Sequence, residues 1–235
     1  PARVQEAART VAQAAVSLID LGAHRGVHPR FGVLDVVPWV ALEGWPVADG
    51  PIEVAVEARR SFAAWAGSTL DLPCFLYGPE RSLPEVRRLA WHGLSPDAGP
   101  SHPHPTAGAT AVGARPVLVA YNVWLAEADL AVARGVAAAI RRPGLRTLAL
   151  PVGASVQVSC NLTDPWTVGP EAAFDAVASR AAVARAELVG LVPRAVLERV
   201  PRQRWRELDL DPSTTIEARL EQAGLDGGRF AAHGH

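Results

Sequence analysis

The segment HRGVHPRFGVLDVVPWV, residues 24–40, places imidazole and guanidinium groups directly before an apolar run. A free imidazole titrates near neutrality, so His28 is a candidate general acid or base. Gly26, Pro29 and Gly32 shape the loop that carries it. The alternative is an ordinary surface histidine in a helix-to-strand loop. These residues alone leave both interpretations open.

Two further groups could do chemistry near this loop. Arg30 offers a planar guanidinium that binds a substrate carboxylate through two parallel hydrogen bonds, or forms a structural salt bridge to Asp35. A metal site would have to draw on four histidines, but glycine and proline breaks separate them and no cysteine or carboxylate falls at ligand spacing. We therefore predict no metal. The histidines considered are His24, His28, His102 and His104.

Composition excludes several function classes. The formal net charge is −1 and all 23 basic residues are arginine, so the chain lacks both a field that gathers nucleic acid and a lysine for Schiff-base chemistry. No phosphate-binding, dinucleotide-binding or serine-hydrolase motif is found. Cys74 and Cys160 lie in apolar runs and are predicted to be small buried hydrophobes. Without an apolar segment of ~20 residues, we predict a cytoplasmic protein that binds no membrane.

The second half of the chain has the clearer periodicity. Residues 155–163 alternate strictly, with Val156, Val158, Cys160 and Leu162 on one face. The predicted order is β-α-β-β-α-β, which is the ferredoxin-like pattern of the α+β class. Gln157, Ser159 and Asn161 then share the sheet face without helices, as solvent surface or as a ligand wall. The predicted elements are strand 116–123, helix 127–140, strands 145–151 and 155–163, a helix from Pro170, and strand 187–193.

The first half resembles the end of a similar unit whose front strands are missing. Apolar residues recur in it at three- and four-residue steps and mark one face of a first helix that Gly22 ends, namely Val4, Ala7, Ala8, Val11, Ala14, Ala15, Leu18 and Ile19. The segment 95–116 is rich in Gly, Pro, Ser and Thr, which predicts a linker or a binding loop. The predicted elements are helix 3–21, strand 32–42, helix 51–67, strand 72–77 and a short helix after Pro84.

Five blocks, in order and spacing, resemble the formiminotransferase domain family over roughly residues 3–200. They are HRGVHPRFGVLDVVPWV, FLYG, GPSHPHPTAGATAVGARPVLVAYNVWL, QVSCNLTD and ELVGLVP. The resemblance implies two ferredoxin-like subdomains, residues 1–114 and 115–220, with a ligand cleft between them and a flexible tail at 221–235. The first subdomain is expected to be incomplete, because the chain begins inside a helix that follows the family's first strands.

The resemblance also implies an activity and a site. The family transfers a formimidoyl group between N-formimidoyl-L-glutamate and tetrahydrofolate, its co-substrate, in histidine degradation and one-carbon metabolism. The family's catalytic histidine corresponds to His28, in the motif GVHPR. Its folate-binding loop corresponds to Gly99, Pro100, Ser101, His102, Pro103, His104, Pro105, Thr106, Ala107 and Gly108. Substrate-binding groups are expected at Arg30, Asn122, Gln157 and Asn161.

The chain also departs from the family pattern. The segment between FLYG and GPS is shorter than in typical members, and Ala107 stands where some members carry tryptophan. The alternative is therefore a catalytically weak folate-binding paralogue or an inactive fragment. The expected partners are small-molecule substrates, without nucleic acid or membrane, and a homodimer is a further expectation.

Overall fold

The computed structural model describes residues 2–28, 30–42 and 51–224 of the 235-residue chain. By their contacts, the described residues divide into two compact units, one reaching to Arg115 and the other starting at Pro116. Helices and strands occur in both units, with a parallel sheet in the first and an antiparallel sheet in the second. The α+β class is confirmed. The predicted tail lies, from residue 225 onwards, outside the described residues.

The first unit is a three-stranded parallel sheet with helices on both faces. The described strands of this unit run in the order β1-β3-β2 and are all parallel, because each connection returns the chain to the same end of the sheet. They do not show the predicted ferredoxin-like pattern. The elements are α1 (Ala2–Leu18), β1 (Val36–Trp39), α2 (Ile52–Thr69), β2 (Cys74–Tyr77), α3 (Leu83–Leu89) and β3 (Thr110–Ala114).

Strand β3 corrects the prediction that residues 95–116 form a linker or loop throughout. It is the central strand, and all five of its residues are buried. A Cβ atom added at Gly113 would lie 1.9 Å from the Tyr77 ring, so the glycine gives that ring room to pack over β3. The small residues that predict a loop are therefore those that fit between two closely packed neighbours.

Helix α1 is confirmed, but little of its apolar face is buried. Ala12 is its buried residue, whereas Val4, Val11 and Leu18 are exposed by 62%, 63% and 82%. The helix packs on α2 through small alanines, because Ala8 and Ala12 belong to the same apolar cluster as Phe62. The larger residues of the apolar face are thus exposed in the described chain, while Ala8 and Ala15 are half-buried.

The second unit is a four-stranded antiparallel sheet with strand order β5-β6-β4-β7. Buried residues of α4 and α5, among them Val136 and Phe174, pack with the apolar side of the strands in one core. Its first six elements follow each other in the predicted order β-α-β-β-α-β. The elements are β4 (Val119–Leu125), α4 (Leu130–Ile140), β5 (Leu145–Val152), β6 (Ser155–Leu162), α5 (Pro170–Ala178), β7 (Val183–Val189), α6 (Arg194–Glu198) and α7 (Ile216–Gln222).

The alternation predicted for β6 is confirmed on its apolar side. Val156, Val158, Cys160 and Leu162 are all buried in the core with α4 and α5. Both cysteines are buried and free, as predicted, and burial raises the pKa of the Cys160 thiol to about 12. The last strand lies earlier than predicted, because Gly190 at φ +93° ends β7 and Pro193 precedes α6.

Candidate active site

The loop that carries His28 is held by its own polar groups. The Arg30 guanidinium donates two hydrogen bonds to the His28 carbonyl, from Nε at 3.1 Å and from Nη2 at 2.8 Å. A Cβ atom at Gly26 would lie 2.5 Å from Arg30 Nη2 and 2.6 Å from His24 Nε2. The ends of the Arg30 and His24 side chains thus lie close over the backbone at Gly26. His28 itself is exposed.

Asp35 pairs with Arg87, and not with Arg30 as considered from the sequence. Its carboxylate forms a salt bridge with Arg87 and accepts a hydrogen bond from the Phe31 backbone N–H at 2.9 Å. Arg87 also lies over the Phe31 ring. The pairing of Asp35 with Arg30 is thus replaced by one with Arg87, which anchors the end of the loop to α3. Arg30 instead braces the backbone at His28.

The loop is joined directly to the segment predicted to bind folate. Backbone hydrogen bonds connect Leu21 N–H to the Thr106 carbonyl at 2.7 Å, and Val33 N–H to the Ala107 carbonyl at 3.0 Å. The Ala109 N–H donates to the Phe31 carbonyl at 2.9 Å. The structure therefore brings the ends of the two predicted site segments together within the first unit.

Two glycines allow this close approach. Gly32 and Gly108 form an antiparallel bridge. A Cβ atom at Gly32 would lie 1.7 Å from the Ala109 carbonyl oxygen, and one at Gly108 would lie 2.4 Å from the Phe31 carbonyl oxygen. Gly108 also has φ +70°, in the left-handed region. No larger residue fits at either position without moving backbone.

His104 closes the predicted folate loop with its side chain. Its Nδ1 accepts hydrogen bonds from the backbone N–H groups of Ala107 at 3.0 Å and of Thr106 at 3.3 Å. The backbone of His104 also exchanges two hydrogen bonds with Gly108, at 2.8 and 3.0 Å. Because Nδ1 is an acceptor, the neutral ring carries its proton on Nε2 and presents a donor there. His102 is exposed, and Ala107 is fully buried.

The candidates in the second unit share the sheet face opposite the apolar core. Across β4 and β6, Asn122 is paired with Ser159, and Gln157 with Trp124. Asn161 on the same face is exposed, whereas Gln157 is 7% exposed. The Gln157 Oε1 atom is buried and has no hydrogen-bond partner in the described part of the chain. An unpaired buried acceptor is unusual enough to need an explanation.

Sequence reasoning missed Glu187, which lies on the same face. Its Oε2 accepts hydrogen bonds from Asn122 Nδ2 at 3.1 Å and from Trp124 Nε1 at 2.9 Å. Burial raises the pKa of Glu187, but these bonds and the charge of Arg185 outweigh it and lower that pKa below its usual value. The polar face therefore holds a carboxylate that is ionised at neutral pH. Only the register of β7 against β4 places it there, which a single sequence does not specify.

Among residues 2–28, 30–42 and 51–224, no group of three or more His, Cys, Asp or Glu side chains is arranged to hold a metal ion. Across those same ranges, no helix combines the length and the apolarity that a bilayer crossing requires.

Comparison with known proteins points to one family. The family model described as "Formiminotransferase domain, N-terminal subdomain" matches residues 1–115. A glutamate formimidoyltransferase of Thermoplasma acidophilum is 32% identical over 240 residues, covering 90% of this chain and 77% of that protein. A glutamate formimidoyltransferase of Streptococcus pyogenes is 38% identical over 156 residues, covering 60% and 50%. The formimidoyltransferase-cyclodeaminase of Gallus gallus is 33% identical over 231 residues, covering 84% and 41%.

Proposed function

Because the chain belongs to the formiminotransferase family, we propose that it is a folate-dependent transferase. It moves a formimidoyl group between N-formimidoyl-L-glutamate and tetrahydrofolate, its co-substrate, within histidine degradation and one-carbon metabolism. The observation that carries this proposal is that backbone hydrogen bonds join residues on both sides of the GVHPR motif, Leu21 and Phe31–Val33, to the end of the segment 99–108. Holding two segments that are far apart in sequence in a fixed relation supports a site that positions two substrates.

His28 acts as the general acid and base. The attacking nitrogen forms a bond to the formimidoyl carbon, and the bond from that carbon to the departing nitrogen then breaks. His28 takes the proton that the attacking nitrogen loses and returns a proton to the departing nitrogen, so the proton count balances. A positioned imidazole contributes about 10²–10⁴ in rate to such a step. The clamped backbone at His28 supports this role, because it limits where the ring can reach.

Arg30 serves the same site in two ways. Its Nε and Nη2 hold the His28 carbonyl, and a guanidinium has five N–H donors in all. We assign the remaining donors to a carboxylate of the glutamate substrate or of the folate tail. None of the salt bridges among the described residues includes Arg30, which supports a ligand carboxylate as its partner.

The segment from Gly99 to Gly108 holds the folate. Gly99 at φ +83° starts it, and a Cβ atom there would lie 2.7 Å from the Leu72 carbonyl oxygen, so the start of the loop is also set by close backbone packing. His104 contributes a fixed Nε2–H donor, suited to a carbonyl or ring-nitrogen acceptor of the ligand. In this proposal His28 transfers protons, whereas His104 binds the folate.

The second unit has a polar sheet face of its own. We propose that it is a ferredoxin-like subdomain, supported by the strand order β5-β6-β4-β7 with antiparallel pairing throughout. Asn122, Gln157 and Asn161 then offer neutral hydrogen-bonding groups to the pterin ring. The ligand cleft, the cytoplasmic location and the homodimer stay predictions of the family resemblance.

Replacement of His28 tests the proposal. We expect His28→Ala to lower the rate of formimidoyl transfer by about 10²–10⁴-fold while tetrahydrofolate still binds, as measured by a transfer assay and by titration calorimetry on the same sample. His92→Ala is the matched control, because His92 is also exposed but lies after α3. Unchanged turnover in His28→Ala would refute the role of His28. Wild-type protein that binds folate without transferring would support the weak paralogue instead.

A further inference from the structure

A groove between α1 and α2 lies outside the segments assigned to formimidoyl transfer. Its volume is about 440 Å³. Polar side chains of α1 line it, among them Gln5, Glu6 and Arg9, and the half-buried ring of Trp65 in α2 gives it an aromatic wall. A concavity of this size suits a small ligand, and its lining favours one that is polar on one side and apolar on the other.

Arg9 brings a guanidinium into the groove without a carboxylate partner. The guanidinium carbon lies 5.3 Å from the centroid of the Trp65 ring. The Nε atom is covered, whereas the two terminal nitrogens are not buried and form no hydrogen bond or ion pair with any described residue. The ring therefore holds the cation in place, while the N–H groups that can bind an anion stay accessible.

Glu6 brings the opposite charge into the same groove. It lies three residues before Arg9, a spacing at which opposite charges on a helix can pair. No salt bridge joins the two among the described residues, and Arg9 lies over Trp65 instead. The Thr10 hydroxyl donates to the Glu6 backbone carbonyl at 3.1 Å and leaves the carboxylate untouched. The groove thus presents a cation and an anion that do not neutralise each other by direct contact.

Gln5 adds an amide whose orientation is fixed. Its Oε1 accepts a hydrogen bond from the Ser61 Oγ of α2 at 3.3 Å. The Nε2 group is then the part of the amide that is left to donate to a ligand. Because residues four apart on a helix are neighbours on one face, this donor lies beside the guanidinium of Arg9.

We propose that the groove binds a free α-amino acid with an uncharged, apolar side chain. The carboxylate of the amino acid accepts hydrogen bonds from Arg9 and Gln5, and its ammonium group donates to the Glu6 carboxylate. The apolar side chain packs against the exposed part of the Trp65 ring. One cation and one anion match a zwitterion, whereas a charged side chain would bring a charge that the groove does not balance.

Three probes titrated into the full wild-type chain test the proposal. Phenylalanine carries both charges, phenylpropionate lacks the ammonium group and phenethylamine lacks the carboxylate. The indole N–H signal of Trp65 in ¹⁵N spectra, identified by its loss in Trp65→Phe, reports binding. We expect phenylalanine to shift this signal with a dissociation constant of roughly 1 mM, and the other two probes to bind about 3- to 10-fold more weakly.

Two variants assign each charge to its partner. Arg9→Gln should weaken phenylalanine and phenylpropionate by about 3- to 10-fold and leave phenethylamine unchanged. Glu6→Gln should weaken phenylalanine and phenethylamine to a similar extent and leave phenylpropionate unchanged. The matched controls are Arg3→Gln and Glu57→Gln, at exposed positions of the same two helices that do not line the groove. Both controls should bind all three probes as the wild-type protein does.

Two results would overturn the proposal. One is a Trp65 signal that does not move when phenylalanine exceeds the expected dissociation constant tenfold. The other is phenylpropionate that binds as tightly as phenylalanine, because Glu6 would then have no part in binding. Both results come from the wild-type chain, so the test does not depend on the folding of a variant.

The inference does not rest on the proposed function. None of the residues that line the groove belongs to the GVHPR motif, to the segment 99–108 or to the polar sheet face. Arg9→Gln should therefore keep wild-type transfer activity when no amino acid is added. A chain that transfers formimidoyl groups but does not bind phenylalanine would refute the groove alone, and the converse result would refute the transferase alone.

Discussion

The two candidate regions are held together by different kinds of interaction. The region around His28 and the segment 99–108 is held by backbone hydrogen bonds and by glycines that allow carbonyl groups to approach. The polar face of the second unit is held by side chains on paired strands, where Glu187 collects Asn122 and Trp124. The first, which we call the backbone-built region, depends on backbone shape. The second, the side-chain-built region, depends on side-chain chemistry, so the same kind of substitution should damage the two regions differently.

The largest effect should follow from adding one methyl group to the backbone-built region. A Cβ atom at Gly32 would lie 1.7 Å from the Ala109 carbonyl oxygen, so Gly32→Ala must separate the two joined segments. We expect a loss of roughly 3 kcal/mol or more in the free energy of unfolding, together with loss of transfer activity. Urea denaturation followed by circular dichroism measures the first quantity.

The same substitution at Gly135 provides the control. Gly135 lies within α4, and a Cβ atom there would meet nothing within 4 Å. Gly135→Ala should therefore stabilise the protein by about 0.5–1 kcal/mol, since glycine is unfavourable inside a helix. Gly32→Ala protein with wild-type stability would contradict the view that the two segments are joined by close backbone contact.

More of the side-chain-built region than of the backbone-built region can be predicted from the sequence. Strict alternation over 155–163 predicts the buried set of β6, because a strand with one apolar face has little choice of orientation. The element order of the second unit follows from helical and strand periodicities of ordinary length. Glu187 is not predicted, because its proximity to Asn122 depends on strand register across 65 residues of sequence.

The backbone-built region is identified by its motifs, but its architecture is not. Strand β3 combines Thr and Val with two alanines and a glycine, and these small residues weaken its strand signal at a central position with little room. Asp35 pairs with Arg87 and not with Arg30, which is nearer in sequence, because α3 packs where it brings Arg87 to the carboxylate. Contacts between distant segments are tertiary facts, and local propensity carries little information about them.

An intermediate effect should distinguish backbone shape from chemistry within the first region. In His104→Asn, the amide oxygen replaces Nδ1 as acceptor but no donor replaces Nε2–H. In His104→Gln, the amide nitrogen reaches toward the Nε2 position but the loop loses its acceptor. We expect His104→Asn to bind tetrahydrofolate roughly 3- to 10-fold more weakly with little change in stability.

We expect the reverse for His104→Gln, with about 1 kcal/mol lost in stability and most of the affinity retained. Calorimetric titration and thermal unfolding of both variants measure the two effects. Affinity that is retained in His104→Asn and lost in His104→Gln would show that the loop needs only its shape. A ¹⁵N spectrum of the wild-type protein should show Nε2 of His104 protonated and Nδ1 unprotonated, and the opposite tautomer would contradict the donor role.

The smallest effect concerns the charge of Glu187 in the side-chain-built region. Its pKa is lowered in the folded protein, because hydrogen bonds from Asn122 and Trp124 and the charge of Arg185 together outweigh the effect of burial. A lowered carboxyl pKa contributes stability above the unfolded value of 4.5, and that contribution is lost as pH falls through the folded pKa.

The melting temperature of wild-type protein should therefore slightly exceed that of Glu187→Gln at pH ~7, and the difference should shrink below pH ~4.5. Glu127→Gln should show no such trend, because Glu127 is an exposed carboxylate. A difference that stays constant down to pH ~3 would mean that the bonds to Glu187 do not depend on its charge, and an oriented amide would then serve this face as well as a carboxylate.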